Sequence, residues 1–438
     1  MRPRYLEGWH QRDLSPQPAS ATASSSSFLI YFLSIPEKGA PHPTQPMKKS
    51  LVSRSLCAAA LVVGMFTLSG FASGENRYVI TNDDVPPEII SGLSFYSVGS
   101  NGALKFQQFV GTFGNGIYGG FFGANRLVTL NSEDQQCAFA SEAYSGEIAG
   151  VDVPSLMETS IASGSAEDQG TSNGIGLALN SQYLYASFTD SNMIGAFAIQ
   201  GGCGLTFMND VSVAGLAGGI VNGMAAHGNI LIATYTDGTI ESFDISNGLP
   251  VSNGDKQYST ATLNAHDATY PNSIDITSDG HFAIFGDTST SQVVEVSDIS
   301  SGKLSKTIVH TSKASISASN VMLSPDETLL YISNTQGDSV SVMFFDKTTG
   351  ALSAGCTSTP LRGQSTDWSY LAGLALLSNT GNGGGAYVAQ FGGPSSIGFV
   401  KLTITGKKCS LKEASGSPFS DPDSYGLLSI GSFPPRAF

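Results

Sequence analysis

Tyr270-Pro271-Asn272-Ser273-Ile274-Asp275-Ile276-Thr277-Ser278-Asp279-Gly280-His281-Phe282-Ala283-Ile284-Phe285 reads as two short apolar strands separated by a polar turn. Thr277 to Gly280 are turn formers, since small polar side chains satisfy local backbone groups and Gly accepts unusual φ. The phrase returns in Ser319-Asn320-Val321-Met322-Leu323-Ser324-Pro325-Asp326-Glu327, followed by Leu329 to Ile332. Earlier copies are Ser172-Asn173-Gly174-Ile175-Gly176-Leu177-Ala178-Leu179 and Val221-Asn222-Gly223-Met224-Ala225-Ala226. Fainter ones are Asn115-Gly116-Ile117, Ala372-Gly373-Leu374-Ala375-Leu376 and Tyr425-Gly426-Leu427-Leu428-Ser429-Ile430.

The first apolar residue of each copy gives seven markers: Ile117, Ile175, Met224, Ile274, Val321, Leu374 and Leu427. Their spacings are 58, 49, 50, 47, 53 and 53 residues, the size of a four-stranded propeller blade. Each unit divides into strands A to D, with A innermost. In one unit A is Val321 to Leu323, B is Leu329 to Asn334, and Ser339 to Phe345 alternates with the period of two that a strand requires. Lys347-Thr348-Thr349-Gly350 then turns into D at Ala351-Leu352. The preceding unit repeats this with Val293 to Val296, Ser300-Ser301-Gly302 and a D strand opening at Lys303-Leu304. Residues 75–438 contain no apolar stripe of helical period over a dozen residues.

The last marker leaves too little chain for a blade of its own, while Arg77-Tyr78-Val79-Ile80-Thr81-Asn82 resembles a B strand with no A strand before it. The sequence therefore predicts an all-β fold, a seven-bladed β-propeller of four-stranded antiparallel blades. Its ring closes when Leu427 to Gly431 pairs with the N-terminal blade, which removes an open sheet edge. Irregularity in the first two units leaves six and eight blades as alternatives.

Composition agrees. Of 438 residues 51 are Gly, only 13% are charged and 41% are apolar, which suits short strands and tight turns and excludes a disordered chain. Residues 1–46 are rich in Ser and Pro and read as a non-native, disordered extension upstream of the true start, with Met47 as initiator. From Met47, Lys48, Lys49 and Arg54 precede an apolar run from Leu56 to Leu68 and the small residues Ser69 to Gly74. That is the order of a secretory signal peptide over 47–74, and the run is too short to span a bilayer. The expectation is a periplasmic or secreted monomer with one propeller domain over 75–438.

Residues 75–438 carry 14 Lys and Arg against 32 Asp and Glu, a formal charge of −18. Such a surface excludes nucleic acid and anionic lipid, which need a basic footprint. Four cysteines lie in this part: Cys137, Cys203, Cys356 and Cys409. They allow two disulfides in three connectivities. Cys356 and Cys409 fall on outer strands of neighbouring blades, which favours their pairing and leaves Cys137 to Cys203. No CxxC spacing occurs and His is scarce, so no zinc site is expected. Asp421 and Asp423 alone are too few ligands for calcium. There is no GxSxG elbow, and the glycines from Gly381 to Gly385 lack the Lys-Ser/Thr ending of a phosphate loop. No metal and no cofactor are expected.

The phrases Tyr270 to Gly280, Leu323-Ser324-Pro325-Asp326 with Leu330 to Asn334, and Asp346-Lys347-Thr348-Thr349-Gly350-Ala351-Leu352 resemble repeats of the lactonase-like seven-bladed propellers. That family includes bacterial 6-phosphogluconolactonases and fungal carboxymuconate-lactonizing enzymes. The likeness covers most of residues 76–432 in organisation and is sharpest over 260–352. It implies hydrolysis or formation of a lactone of a small organic or sugar acid, through His, Arg and a carboxylate at the mouth of the central channel. Lactone chemistry needs a base for water and a cation for the developing oxyanion.

His266, Arg362 and Asp367, together with Asp267 and Lys313, fall in loops joining D to the next A, which open on that mouth. His266, Arg362 and Asp367 are the catalytic candidates, and Lys313 a substrate-binding one. Asn173, Asn222, Asn272 and Asn320 recur at one repeat position, either as a ring of amides facing a ligand or as turn formers before each inner strand. Asp190, Asp237, Asp287 and Asn334 sit at or just after the ends of B strands, either lining the mouth or, as the favoured reading, opening B-to-C turns. His227 and His281 belong to the opposite face. A non-catalytic exported propeller that binds a small molecule, glycan or protein partner is the second reading.

Overall fold

A computed structural model of the chain describes residues 77–83, 91–116, 125–164, 175–259, 271–287, 293–305, 310–313, 318–362, 370–376, 384–391, 395–405, 408–420 and 427–436. The proposed extension and signal segment, residues 1–74, lie outside them. Seven antiparallel sheets follow one another along residues 77–436. Blade 1 contains Tyr78–Asp83, Gly92–Val98 and Leu104–Gly111; blade 2 runs from Leu127–Asn131 to Met157–Ser163. Blade 3 spans Ile175–Leu179 to Gly204–Ser212, and blade 4 opens with Val221–His227 and Ile230–Tyr235. Blade 5 spans Pro271–Ile276 to His310–Lys313, blade 6 Ala318–Leu323 to Ala351–Thr357, and blade 7 Tyr370–Leu376 to Lys408–Glu413. Each opening strand contacts that of the next blade, so these strands surround the axis.

The ring closes as the sequence requires. Leu427–Phe433 pairs antiparallel with Tyr78–Asp83 and becomes the inner strand of blade 1, with Ile80 opposite Gly431. The protein is a seven-bladed propeller.

Alternation places the core. Val79 faces blade 7, in a cluster with Tyr387 and Ile397, whereas Ile80 faces blade 2, beside Leu127 and Ala138. Leu231 and Ala233 likewise pack toward blade 3, and Ile230 and Ile232 toward blade 5. The inner and B strands are covered on both faces and are buried along nearly their whole length, whereas outer strands such as Leu104–Gly111 and Met157–Ser163 are largely exposed. The seven apolar clusters are each shared by two neighbouring blades.

Two A-to-B turns explain the repeated phrase. Thr277 Oγ1 donates to Asp279 Oδ1 at 2.7 Å and accepts from Phe282 N; Ser324 Oγ donates to Asp326 Oδ1 at 2.6 Å and accepts from Leu329 N. One side-chain hydroxyl thus satisfies backbone groups in both copies. Gly280 and Glu327 occupy the same left-handed position, φ 66° and 56°. Only the first is a residue that adopts it freely. Glu327 instead bonds its neighbour, accepting Ser278 N at 2.5 Å across the blade boundary.

Buried polar side chains also tie blades together. Thr129 Oγ1 donates to Ser432 O, Ser187 Oγ to Asn222 O and Ser333 Oγ to Ala372 O, while Ser273 Oγ accepts Val321 N. Disulfides do the same at larger radius: Cys137–Cys203 joins blades 2 and 3, and Cys356–Cys409 joins the outer strands of blades 6 and 7.

Two strand assignments and the placement of one loop residue need correction. The inner strand of blade 2 begins at Leu127, not Ile117, which lies outside the described residues. Asn115 instead gives its carbonyl to Tyr144 N and Ser145 N, docking on the B-to-C turn of blade 2. The outer strand of blade 5 is His310–Lys313 rather than Lys303-Leu304. Leu304 is drawn toward blade 4: its side chain is buried with Ile299 and Ile240, and its N–H goes to Asp255. Lys313 accordingly ends that strand, opposite Val293, instead of lying in the loop beyond it.

The far end of the ring is crossed by the chain after Phe433. Arg436 makes a bidentate pair with Asp275, at 2.8 and 2.9 Å, on the inner strand of blade 5. It also donates to the carbonyls of Ile276 and Leu323. Blade 1 and blade 5 are not neighbours, so this tail is a strut across the ends of the inner strands.

Candidate functional site

At the end where inner strands begin, charge is concentrated between blades 1 and 2. Asp83 closes the B strand of blade 1, Glu142 closes that of blade 2, and Arg126 immediately precedes the inner strand of blade 2. All three are fully buried. Asn82 Nδ2 donates to Arg126 O at 3.2 Å and Ser141 O at 3.3 Å, and Ser141 N donates to Arg126 O at 3.0 Å. These bonds bring residues 82–83, 126 and 141–142 together. Ser94 Oγ donates to Asp83 Oδ2 at 2.8 Å, and Thr112 Oγ1 donates to Glu142 Oε1. Gly114 lies over Glu142 so closely that a Cβ there would come 2.4 Å from its Cγ.

Burying ionised groups costs several kcal/mol each unless they are paired or hydrogen-bonded. Arg126, Asp83 and Glu142 are buried where the backbone of blade 2 meets the end of the blade 1 B strand, and groups of this kind can hold a carbonyl oxygen or move a proton. Sequence reading passed over Arg126 because the misplaced marker at Ile117 put it inside a blade. Once Leu127 starts the strand, Arg126 falls at the end of the D-to-A connection.

The candidates read from sequence are distributed differently. Arg362 follows the outer strand of blade 6 and is more than half exposed. Its Nε donates to Glu413 Oε2 at 3.1 Å, its Nη2 to Ala414 O at 2.8 Å, and its own N–H to Glu413 Oε2. That guanidinium joins blade 6 to the outer strand of blade 7. His266, Asp267, Asp367 and Asn173 lie outside the described residues.

Asn222 and Asn320 are both buried in inner strands. Asn222 sits within the register shift between Val221 and Met224, Asn272 within that between Pro271 and Ser273, and Asn320 directly after one. A β-bulge at this point turns the strand end and re-aims its side chains. The amide oxygen of Asn320 has no hydrogen-bond partner among the described residues.

The B-to-C turn positions behave as caps. Asp237 accepts from Ala217 N, Gly219 N and Thr239 N at 2.7 to 3.0 Å. Burial pushes its carboxyl up, but the Thr239, Ala217 and Gly219 hydrogen bonds outweigh this and hold it below the usual carboxylate range. Asn334 Nδ2 donates to Ser339 O and Ser341 Oγ inside its own blade. On the opposite face His227 ends the blade 4 inner strand; burial and then the Arg436 charge lower its pKa, against the raising effect of Asp279 and Glu327. Among the described residues no three His, Cys, Asp or Glu side chains are grouped to hold a metal ion.

Residues 144–382 match the family described as "Lactonase, 7-bladed beta-propeller", more than half of the chain. The chain belongs to this lactonase family. Among solved structures, this lactonase-family propeller is similar to the periplasmic gluconolactonase of Pseudomonas aeruginosa, with a TM-score of 0.61 and 13% identity over 81% of this chain and 99% of that one. A Bacteroides fragilis protein provisionally named a 6-phosphogluconolactonase aligns with a TM-score of 0.60, 13% identity and coverage of 82% and 98%. A Desulfotomaculum acetoxidans protein of unknown function gives 0.56, 13%, 82% and 99%. At such identity the likeness to these three is one of fold. No curated protein matches the chain.

Proposed function

We propose that this lactonase-family propeller is an exported enzyme that opens or closes a lactone of a small organic or sugar acid at the end of the ring where the inner strands begin. The observation that carries it is the full burial of Arg126, Asp83 and Glu142 at that end, on chain segments joined through the Asn82 amide. In hydrolysis, water attacks the acyl carbon, a base takes its proton, and the ring C–O bond breaks to leave a hydroxyl. Glu142 is our choice of base and Arg126 of cation, because both are buried at that end, whereas Arg362 is more than half exposed on the outer strands. His266 and Asp367, the candidates read from the sequence, complete the proposed proton path. Asn173, Asn222, Asn272 and Asn320 are the proposed polar surround. The two disulfides suit an oxidising compartment.

The test is a pH-stat screen of sugar-acid and muconate-type lactones. Glu142→Gln is expected to lose about 100-fold or more in rate, the usual share of a general base, while remaining folded with a lowered melting temperature, since a buried charge is removed. His266→Ala should fall likewise, and unchanged activity in that variant would remove His266. A panel with no turnover, or full activity in Glu142→Gln, defeats the catalytic reading. Because Glu142 and Asp83 already accept hydrogen bonds from Thr112 and Ser94, the second reading is a binder without turnover. Lactone binding by calorimetry in the absence of hydrolysis would establish it.

A further inference from the structure

Phe113 is 81% exposed and Tyr144 56% exposed, and both stand beside Glu142. Phe113 occupies the left-handed region, φ 54°, in a three-residue turn closed by Gly114 N to Thr112 O at 2.7 Å. A bulky residue is disfavoured there, and such outliers persist only where surroundings enforce them. The enforcement is visible. Thr112 is held by Ser91 O and Glu142, while Asn115 O takes both Tyr144 N and Ser145 N, and Asn115 N reaches Ser145 Oγ at 3.2 Å. The same bonds that strain the turn lay it against the Tyr144 turn and hold the Phe113 ring in water. Apolar burial favours the opposite placement.

We propose that Phe113 and Tyr144 form a stacking rim for the apolar face of a neutral saccharide ring. Aromatic faces are electron-rich and attract the slightly positive C–H groups of a sugar face, while sugar hydroxyls remain free to meet polar groups such as those around Glu142. Neutrality follows from charge: 32 acidic against 14 basic residues over 75–438 repel phosphorylated or carboxylated sugars. The inference extends the proposed function by naming a class of ligand, and it is read by binding, so loss of the lactonase reading leaves it standing.

The experiment uses the purified full chain with maltotetraose, cellotetraose and D-glucono-1,5-lactone as neutral probes and 6-phosphogluconate as the charged one. Saturation-transfer NMR and calorimetry are expected to show binding of a neutral probe and none of the phosphate. Binding of a tetrasaccharide that Phe113→Gly weakens assigns the rim to a glycan; binding of the lactone alone supports the rim only where Phe113→Gly weakens it, since the proposed lactone site would also take that probe. Phe113→Gly should weaken binding about tenfold, near the upper end for one aromatic contact. Its melting temperature should hold or rise, since Gly adopts the left-handed turn freely. Tyr144→Ser should weaken binding similarly. The proposal is overturned if no neutral probe binds, if 6-phosphogluconate binds as well, or if Phe113→Gly retains wild-type affinity. A fall in melting temperature like that of a core substitution would also overturn it, since Phe113 would then be structural.

Discussion

Arg436→Met removes the head of the strut that crosses the ring while keeping most of its apolar stem. Arg436 and Asp275 are only 10% and 13% exposed, and removing one partner of a buried ion pair typically costs 3–5 kcal/mol, because the other charge is left uncompensated. Here Asp275 keeps two donors, Leu323 N at 2.6 Å and Ile276 N at 2.8 Å, so about 3 kcal/mol is expected. Unfolding entropy of about 2.1 cal/mol/K per residue over about 360 residues converts this to a melting temperature lower by about 4 °C. Calorimetry is the assay. In the double variant with Asp275→Asn the loss should be smaller than the sum of the single ones, since the two sites are coupled.

A second readout is His227. Its folded pKa lies below the ordinary 6.5, from burial first and the Arg436 charge second. A lowered pKa means the fold prefers neutral imidazole. Wild-type stability from this site is therefore intact above about pH 6.5 and declines as pH falls through the folded pKa. Without Arg436 the His227 pKa should rise and that acid-side loss should shrink, as followed by NMR titration. A variant that melts within about 1 °C of the wild type, with the His227 titration unmoved, refutes the strut.

Mild reductant should open Cys356–Cys409 before Cys137–Cys203, because the first pair is partly exposed and the second is buried; alkylation followed by peptide mass spectrometry reads the order. Cys409→Ser, which frees a loop closed over 53 residues, should cost about 4 kcal/mol on the chain-entropy account, measured by denaturant unfolding. Ile430→Ala in the closing strand should cost about 2–5 kcal/mol, since Ile430 is buried against blade 7, with its Cγ2 near Gly373. An unaffected denaturation midpoint would contradict the closure.

Much of the ring was legible because its signals are local. Thr277 to Gly280 and Ser324 to Glu327 specify a turn by their own hydroxyl and carboxylate bonds, so blades 5 and 6 announce their A-to-B corners. The closing strand was legible by a different route, as a B strand with no A strand before it and a last marker with no blade after it. The Asn115-Gly116-Ile117 error shows the limit. An Asn-Gly pair suits a loop as well as a strand entry, and only the pairing of Leu127–Asn131 with Gln136–Glu142 distinguishes the two. Arg126 was lost with that error, and Arg362 gave no local sign that Glu413, 51 residues away, would take its guanidinium.

By itself, then, the sequence determined the repeated unit, the joining of the chain's two ends and the acidic surface, because each depends on residues a few positions apart or on a simple count; the blade count of seven, which it favoured over six and eight, was decided by the seven sheets. Only the tertiary structure decided that Arg126 lies with Asp83 and Glu142, that Phe113 is strained outward, and that Arg436 finds Asp275, 161 residues earlier in the chain. Those encounters depend on how neighbouring blades and the two ends of the chain meet in space. No periodicity encodes them, because a blade repeats its own strands and not its contacts with the others.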